Sequence, residues 1–132
     1  MIVGIGHIGV GVKDIEKTAR ILSEVLGVPM AEIKELPEKR AKVALVNLGP
    51  ISMELVQEDN DNGLIGSFVK EKGEGIHHFC MDTDDIDGDI AALKAKGVKM
   101  IHEHPKMGLR GKRIAFISPD SLGSLYCELS EP

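Results

Sequence analysis

The sequence is poor in aromatic residues, has few cysteines and contains no long apolar run. Among 132 residues there are three Phe, one Tyr and no Trp, so the stacking surfaces with which proteins hold single-stranded nucleic acids are missing. No window approaches the roughly 20 consecutive apolar residues of a membrane-spanning helix. With 16 basic and 21 acidic residues, a formal charge of -5, the chain has no broad basic surface. These absences argue against nucleic-acid partners and against membrane insertion.

The two cysteines, Cys80 and Cys127, lie in apolar, strand-like runs without a CxxC spacing. This setting predicts buried free thiols rather than a disulfide or a redox pair. The N-terminal run MIVGIGHIG lacks the basic region, the long apolar region and the cleavage site of a signal peptide. We therefore expect a cytoplasmic protein that begins with a strand.

The first half of the chain alternates between strand and helix patterns. Apolar residues recur at helical spacing after Asp14, a residue type that caps helices, and Gly27 supplies a C-terminal stop. Period-two alternation and turn residues delimit the strands. The predicted order is βαβββ: a strand at 2–12, a helix at 15–26, and strands at 30–36, 41–48 and 51–57.

The second half repeats this order. His78 follows His7 by 71 residues, and Glu128 follows Glu54 by 74 residues. A nearly constant offset through several elements indicates an internal duplication. The predicted elements are a strand at 76–83, a helix at 86–96, and strands at 98–102, 113–118 and 125–130. A polar piece at 59–75, with a helical centre at 64–72, separates the repeats.

These patterns predict an α+β fold made of two tandem βαβββ modules. Module one covers residues 1–58, the linker 59–75 and module two 76–132, within one domain at 1–132. Each module has one helix to cover one sheet face, so the opposite face needs a partner. Pairing the modules would form a cup-shaped mixed sheet lined by those opposite faces, where a ligand could bind.

Four side chains of metal-ligating type fall on the predicted lining. His7 and His78 alternate away from the aliphatic residues of their strands, and Glu54 and Glu128 do the same on the last strand of each repeat. Each alone is typical of a structural histidine or a solvated carboxylate. Because the pattern occurs twice, we predict a site with two nitrogen and two oxygen ligands for a divalent metal: cobalt, manganese, nickel or zinc.

Other polar residues are interpreted as structural. His77 is predicted to pack, since it alternates onto the aliphatic face of its strand. His102 and His104 are expected at a solvated loop edge. Glu38 is interpreted as an exposed turn carboxylate. The glycine-containing basic run 106–113 is either an anion-holding loop or a solvated turn.

Several runs carry a resemblance to a known family. In order along the chain they are GHIGVGVKDIEKT, LPEKRAKVALVNLGPISMELV, GEGIHHFCMDTDDI and GKRIAFISPDSLGSLYCELSE. Together they resemble the methylmalonyl-CoA epimerase family of the vicinal oxygen chelate superfamily over nearly the whole chain. The resemblance implies the vicinal oxygen chelate fold and places the metal ligands on His7, Glu54, His78 and Glu128. Some family members carry Gln at the position of Glu54.

The resemblance also implies a reaction, the interconversion of (2R)- and (2S)-methylmalonyl-CoA through a metal-stabilised enolate. It assigns Glu38 as one catalytic base, and we assign Glu128 as the second. It further implies an acyl-CoA substrate, a homodimer and cobalt as the first candidate metal, with zinc, manganese or nickel as alternatives. Arg110, Lys112 and Arg113 are candidates for holding the CoA phosphates.

The chain departs from the family pattern at two places. Ser118 precedes Pro119 where the family usually has His, and residues 121–124 replace a Thr-Gly-Gly-type turn. Two alternatives therefore stay open: a glyoxalase I-type lactoylglutathione lyase and a metal-free small-molecule binding protein of the same fold. An extradiol dioxygenase is disfavoured by the fourth ligand.

Overall fold

The computed structural model describes all residues, 1–132, as eight strands and three helices. Contacts divide the chain into two compact units, which we call the first unit (His7–His77) and the second unit (Met1–Gly6 with His78–Pro132). In chain order the elements are β1 (Ile2–Gly11), α1 (Ile15–Leu26), β2 (Ile33–Leu36), β3 (Ala41–Asn47), β4 (Ser52–Glu58), α2 (Leu64–Lys72), β5 (Gly75–Thr83), α3 (Ile86–Ala95), β6 (Lys106–Met107), β7 (Arg113–Ile117) and β8 (Cys127–Ser130).

The strands of the first unit follow the order β2-β3-β4-β1. β3 is antiparallel to both β2 and β4, whereas β4 runs parallel to β1. α1 covers one face, where Ile15 and Ala19 pack with Val12 and Leu55. Burial of these side chains stabilises the unit, at roughly 1.5–3 kcal/mol for each large aliphatic residue.

α1 begins and ends where its sequence signals lie. The Asp14 carboxylate accepts a hydrogen bond from the Lys17 N–H at 3.1 Å, which satisfies one of the free amides of the first turn. At the other end Gly27 adopts φ 71°, a left-handed conformation that costs glycine little. The predicted helix at 15–26 is confirmed.

α2 packs against the strand face opposite α1. A Cβ atom on Gly11 would lie 2.7 Å from Cγ2 of Val69, so only glycine permits this approach of helix and strand. The Glu58 carboxylate accepts hydrogen bonds from the N–H groups of Ile65 and Gly66, at 3.0 and 2.8 Å. The predicted helical centre at 64–72 is confirmed.

The second unit repeats the arrangement with strand order β5-β8-β7-β6. β5 is parallel to β8, which is antiparallel to β7. α3 packs Ile86 and Ile90 against Ala115 and Leu129. Asp85 caps α3 by accepting from the Gly88 N–H at 3.0 Å, as Asp14 does for α1.

The predicted strand at 98–102 is wrong. This segment forms only an isolated bridge, between Met100 and Ile117. The N–H groups of Ile101 and His102 both donate to the Phe116 carbonyl, at 2.9 and 3.3 Å. In an antiparallel pair of strands each carbonyl would accept from one residue of the partner strand, so the regular hydrogen-bond pattern of a strand is lost here. The second strand of the module is instead β6, which pairs with β7 in a short hairpin.

The structure confirms the predicted α+β class with two βαβββ modules, since β1-α1-β2-β3-β4 and β5-α3-β6-β7-β8 follow the same order. Both cysteines are buried thiols, as predicted. None of the helices combines the length and apolar character needed to cross a membrane.

Candidate metal-binding residues

The first unit brings His7 and Glu54 together. His7 lies on β1 and Glu54 on β4, where Glu54 is paired with Gly9, two residues beyond His7. His7 Nε2 lies 3.8 Å from Glu54 Oε1, and both side chains are buried. Val12 and Leu55 point to the α1 side, so alternation places His7 and Glu54 on the opposite face.

The second unit carries a matching group on β5 and β8. Cys80 is paired with Glu128 in the strand register, and its Sγ lies within 4.8 Å of a Glu128 carboxylate oxygen. His78 lies two residues before Cys80 and is also buried. Cys80 is absent from the predicted ligand set, although its spacing of two from His78 indicates a shared face.

Phe116 of β7 also contacts this group. Phe116 is paired with Glu128, and its ring meets the His78 imidazole edge-on, with centroids 5.0 Å apart and planes at 83°. Ala115, Ile117 and Leu129 pack instead with α3. An aromatic edge contact of this kind restricts the orientation of the imidazole.

The donor chemistry of each unit fits a divalent metal. A buried carboxylate is costly unless a positive charge or hydrogen bonds compensate it, and both Glu54 and Glu128 are buried. Imidazole nitrogen together with carboxylate oxygen suits several divalent ions. Buried His, Glu and Cys groups of this protein could therefore hold a divalent metal. The joint set of four ligands stays a prediction.

Glu38 lies away from the strands, on a turn. It occupies the 3₁₀ turn Pro37–Lys39 between β2 and β3 and is exposed. The Arg40 N–H donates to the Pro37 carbonyl at 3.0 Å and closes the turn, with Arg40 at φ 52°. A non-glycine residue in this left-handed region is uncommon. The exposed turn carboxylate predicted from sequence is confirmed, and its role as a base stays a prediction.

The three remaining histidines differ from one another. His77 is buried and packs edge-on against Phe68 of α2, with ring centroids 5.0 Å apart, which agrees with the predicted packing role. His104 is exposed, as predicted. The expectation of a solvated loop edge is wrong for His102, because its Nδ1 accepts a hydrogen bond from the Phe116 N–H at 3.0 Å.

The basic run 106–113 forms the hairpin of β6 and β7. Gly108 N–H donates to the Lys112 carbonyl at 2.8 Å, and Gly111 takes the left-handed conformation at φ 74°. The Arg113 guanidinium binds Asp87 with two contacts of 2.9 Å and Glu131 with two of 3.2 Å. These carboxylates raise the pKa of Arg113. Arg113 thus joins β7 to α3 and to Glu131, the residue that follows β8. Arg110 and Lys112 stay as candidates for the CoA phosphates.

The two serines at positions that depart from the family pattern have local structural roles. Ser118 Oγ accepts from the Asp120 N–H at 3.4 Å, at the start of a 3₁₀ turn. Ser121 Oγ accepts from the Lys99 N–H at 2.9 Å. Both hydroxyl groups therefore stabilise the connection that leads into β8.

Comparison with known proteins assigns the family. The model of the glyoxalase/bleomycin resistance protein/dioxygenase superfamily matches residues 6–116. The chain belongs to this superfamily. The superfamily match runs from within β1 through most of β7 and includes three of the four predicted ligands, His7, Glu54 and His78.

Within the superfamily the chain is similar to methylmalonyl-CoA epimerases, as its sequence runs predicted. Mitochondrial methylmalonyl-CoA epimerase of Homo sapiens is 34% identical over 96% of this chain and 73% of its own. A Streptomyces coelicolor methylmalonyl-CoA epimerase variant, in complex with 2-nitronate-propionyl-CoA, superposes with a TM-score of 0.90 at 25% identity, covering 99% of this chain and 95% of that chain. An uncharacterized Bacillus subtilis protein, YqjC, is 30% identical over 96% of this chain and 90% of its own.

Proposed function

We propose that this protein is a metal-dependent epimerase that interconverts (2R)- and (2S)-methylmalonyl-CoA. The observation that carries the proposal is the repeated placement of a buried His and a buried Glu on corresponding strands of the two modules. The similarity to methylmalonyl-CoA epimerases over nearly the full chain supports the choice of substrate.

In this proposal His7, Glu54, His78 and Glu128 hold one divalent metal ion. When bound, the metal supplies Lewis-acid stabilisation of the negative charge that develops on the substrate when its α-proton leaves. Cobalt is the first candidate, with zinc, manganese and nickel as alternatives, because imidazole and carboxylate ligands accept all four.

Epimerisation requires removal of the α-proton on one face of the carbon and its return on the other. We assign the two proton transfers to the carboxylates of Glu38 and Glu128. Glu38 is on an exposed turn and would act as one base, whereas the buried Glu128 would serve as a metal ligand and as the second acid or base. A homodimer and a cytoplasmic location complete the proposal.

The test is proton NMR of methylmalonyl-CoA in deuterated water with metal-loaded and chelator-stripped protein. We expect the α-hydrogen signal to disappear while the epimers equilibrate, and both changes to require the metal. The hemithioacetal of methylglyoxal and glutathione serves as the comparison substrate for a lactoylglutathione lyase.

Two results would contradict the proposal. Metal-loaded protein that leaves the α-hydrogen signal intact is not an epimerase for this substrate. Exchange at an undiminished rate in protein shown by elemental analysis to be free of metal would reject the metal-dependent mechanism while keeping the substrate.

A further inference from the structure

The segment between α3 and β6 is attached to β7 through its backbone. Ile101 and His102 donate their N–H groups to the Phe116 carbonyl, at 2.9 and 3.3 Å, and Met100 bridges to Ile117. These contacts hold the Cα atom of His102 beside Phe116. The backbone position from which the His102 side chain extends is therefore defined.

A side-chain hydrogen bond then sets the tautomer of His102. Its Nδ1 accepts from the Phe116 N–H at 3.0 Å, so the proton of the neutral imidazole is on Nε2. Burial lowers the pKa of His102, the Lys106 charge lowers it further, and the Glu128 charge opposes them. The neutral ring presents Nε2–H as a donor, since the hydrogen bond to Phe116 uses only Nδ1.

The His102 imidazole shares a neighbour, Phe116, with the metal-ligand candidates of the second unit. The ring of Phe116 meets His102 on one side, with centroids 5.8 Å apart, and His78 on another, at 5.0 Å. Phe116 is paired with Glu128 across β7 and β8.

We propose that His102 is a specificity-determining residue whose Nε2–H donates a hydrogen bond to the free carboxylate of the acyl group. This inference rests on the proposed function, which supplies a dicarboxylic acyl-CoA as substrate. A hydrogen bond to an anionic acceptor is stronger than one to a neutral carbonyl. His102 thereby selects carboxylated over uncarboxylated acyl-CoA molecules.

Three variants distinguish the roles of the two ring nitrogen atoms of His102. In His102→Asn the amide oxygen can take the place of Nδ1 and accept from Phe116, whereas the Nε2–H donor is deleted. In His102→Gln the amide N–H can reach the place of Nε2, whereas the acceptor for Phe116 is lost. His104→Asn changes the exposed histidine two residues away and serves as the matched control.

The experiment is calorimetric titration of metal-loaded protein with malonyl-CoA and with acetyl-CoA, which differ by the carboxylate. Loss of one hydrogen bond to a charged group weakens binding by about 10- to 100-fold. We expect this loss for malonyl-CoA with His102→Asn and unchanged acetyl-CoA binding. His102→Gln should keep the preference for malonyl-CoA but melt at a lower temperature, and His104→Asn should match the wild type.

Two outcomes overturn the inference, and they are distinguishable. If wild-type protein prefers malonyl-CoA and His102→Asn keeps that preference, His102 does not read the carboxylate and the proposed function stands. If wild-type protein binds both molecules equally or binds neither, the inference fails, and the NMR exchange experiment with methylmalonyl-CoA decides the proposed function separately. If His102→Asn does not fold, retained preference in His102→Gln supports the inference and a lost preference overturns it.

Discussion

At the scale of single residues, neighbours in sequence have different surroundings. His77 and His78 follow one another on β5, and both are buried. His77 packs against Phe68 of α2, whereas His78 meets Phe116 beside Glu128. Because successive side chains of a strand point to opposite faces, one histidine has a packing role and the other is a candidate ligand.

The two histidines provide a matched pair of variants. His78→Ala should weaken binding of the divalent metal at least ~10-fold, since a ligand is removed and even indirect partners of ligands change affinity by about 10–100-fold. His77→Ala should keep the metal but lose about 1–3 kcal/mol of unfolding free energy through lost packing. Metal content after dialysis and urea denaturation measure the two effects. Equal metal content in both variants would contradict the assignment of His78.

Glu38 offers a test of the chemical step alone. Glu38→Gln should abolish epimerisation and leave metal content intact, because the residue lies on an exposed turn and the amide cannot accept a proton as a base. Turnover and metal analysis are measured on the same preparation. Glu35→Gln, on an exposed residue of β2, is the control. Near-normal turnover in Glu38→Gln would exclude Glu38 as an essential base.

At the scale of elements, each helix depends on a carboxylate that meets its first turn. α1 and α3 use Asp14 and Asp85, which directly precede them. The residue before α2 is Gly63, which has no side chain to offer, and Glu58 from the end of β4 supplies the acceptor instead. The start of α2 is therefore stabilised by a residue of another element.

Glu58→Ala should destabilise the protein by about 1–2 kcal/mol, because the amides of Ile65 and Gly66 lose their acceptor. Glu58→Gln retains an acceptor oxygen and should cost less than the alanine variant. Urea denaturation of both variants measures the difference. Equal unfolding free energies for the alanine variant and the wild type would show that water replaces the carboxylate without cost.

At the scale of the whole molecule, stability is expected to depend on metal. A ligand that binds only the folded state, at 100 times its Kd, raises the unfolding free energy by about 2.7 kcal/mol. Chelator-stripped protein should melt roughly 5–10 °C below metal-loaded protein, and calorimetric scans measure the shift. The His78→Ala variant is the control and should show a smaller shift. An identical melting temperature with and without metal would contradict a site that binds the metal only in the folded state.

Stability should also fall in alkaline solution. Burial, and secondarily the charge of Glu128, raise the pKa of the Cys127 thiol to about 11 from its ordinary value of 9.0. The folded state therefore favours the neutral thiol. The resulting contribution to the free energy of unfolding is fully present below pH 9 and is lost as the pH rises towards 11. Urea denaturation at pH 8 and pH 10.5 should show a decline that is smaller in Cys127→Ala. An equal decline in both proteins would assign it to other groups.

The repeat, the limits of α1, and the common sheet face of His7 and Glu54 were all predictable from the amino-acid sequence. These features follow from local rules: helix caps at Asp14 and Gly27, period-two alternation, and an offset that recurs between the halves. Local rules suffice where a regular pattern of apolar and polar residues continues through the whole element.

Where distant residues compete for one hydrogen-bonding partner, the outcome was visible only in the folded protein. Residues 98–102 have strand-like composition, yet two of their amides donate to the Phe116 carbonyl and the His102 ring accepts the Phe116 N–H. Arg113 resembles an anion-binding residue in sequence but is held by Asp87 and Glu131. A donor or acceptor can bond to only a few partners. Which residues lie close enough to bond to it depends on tertiary packing, and sequence spacing does not reveal that packing.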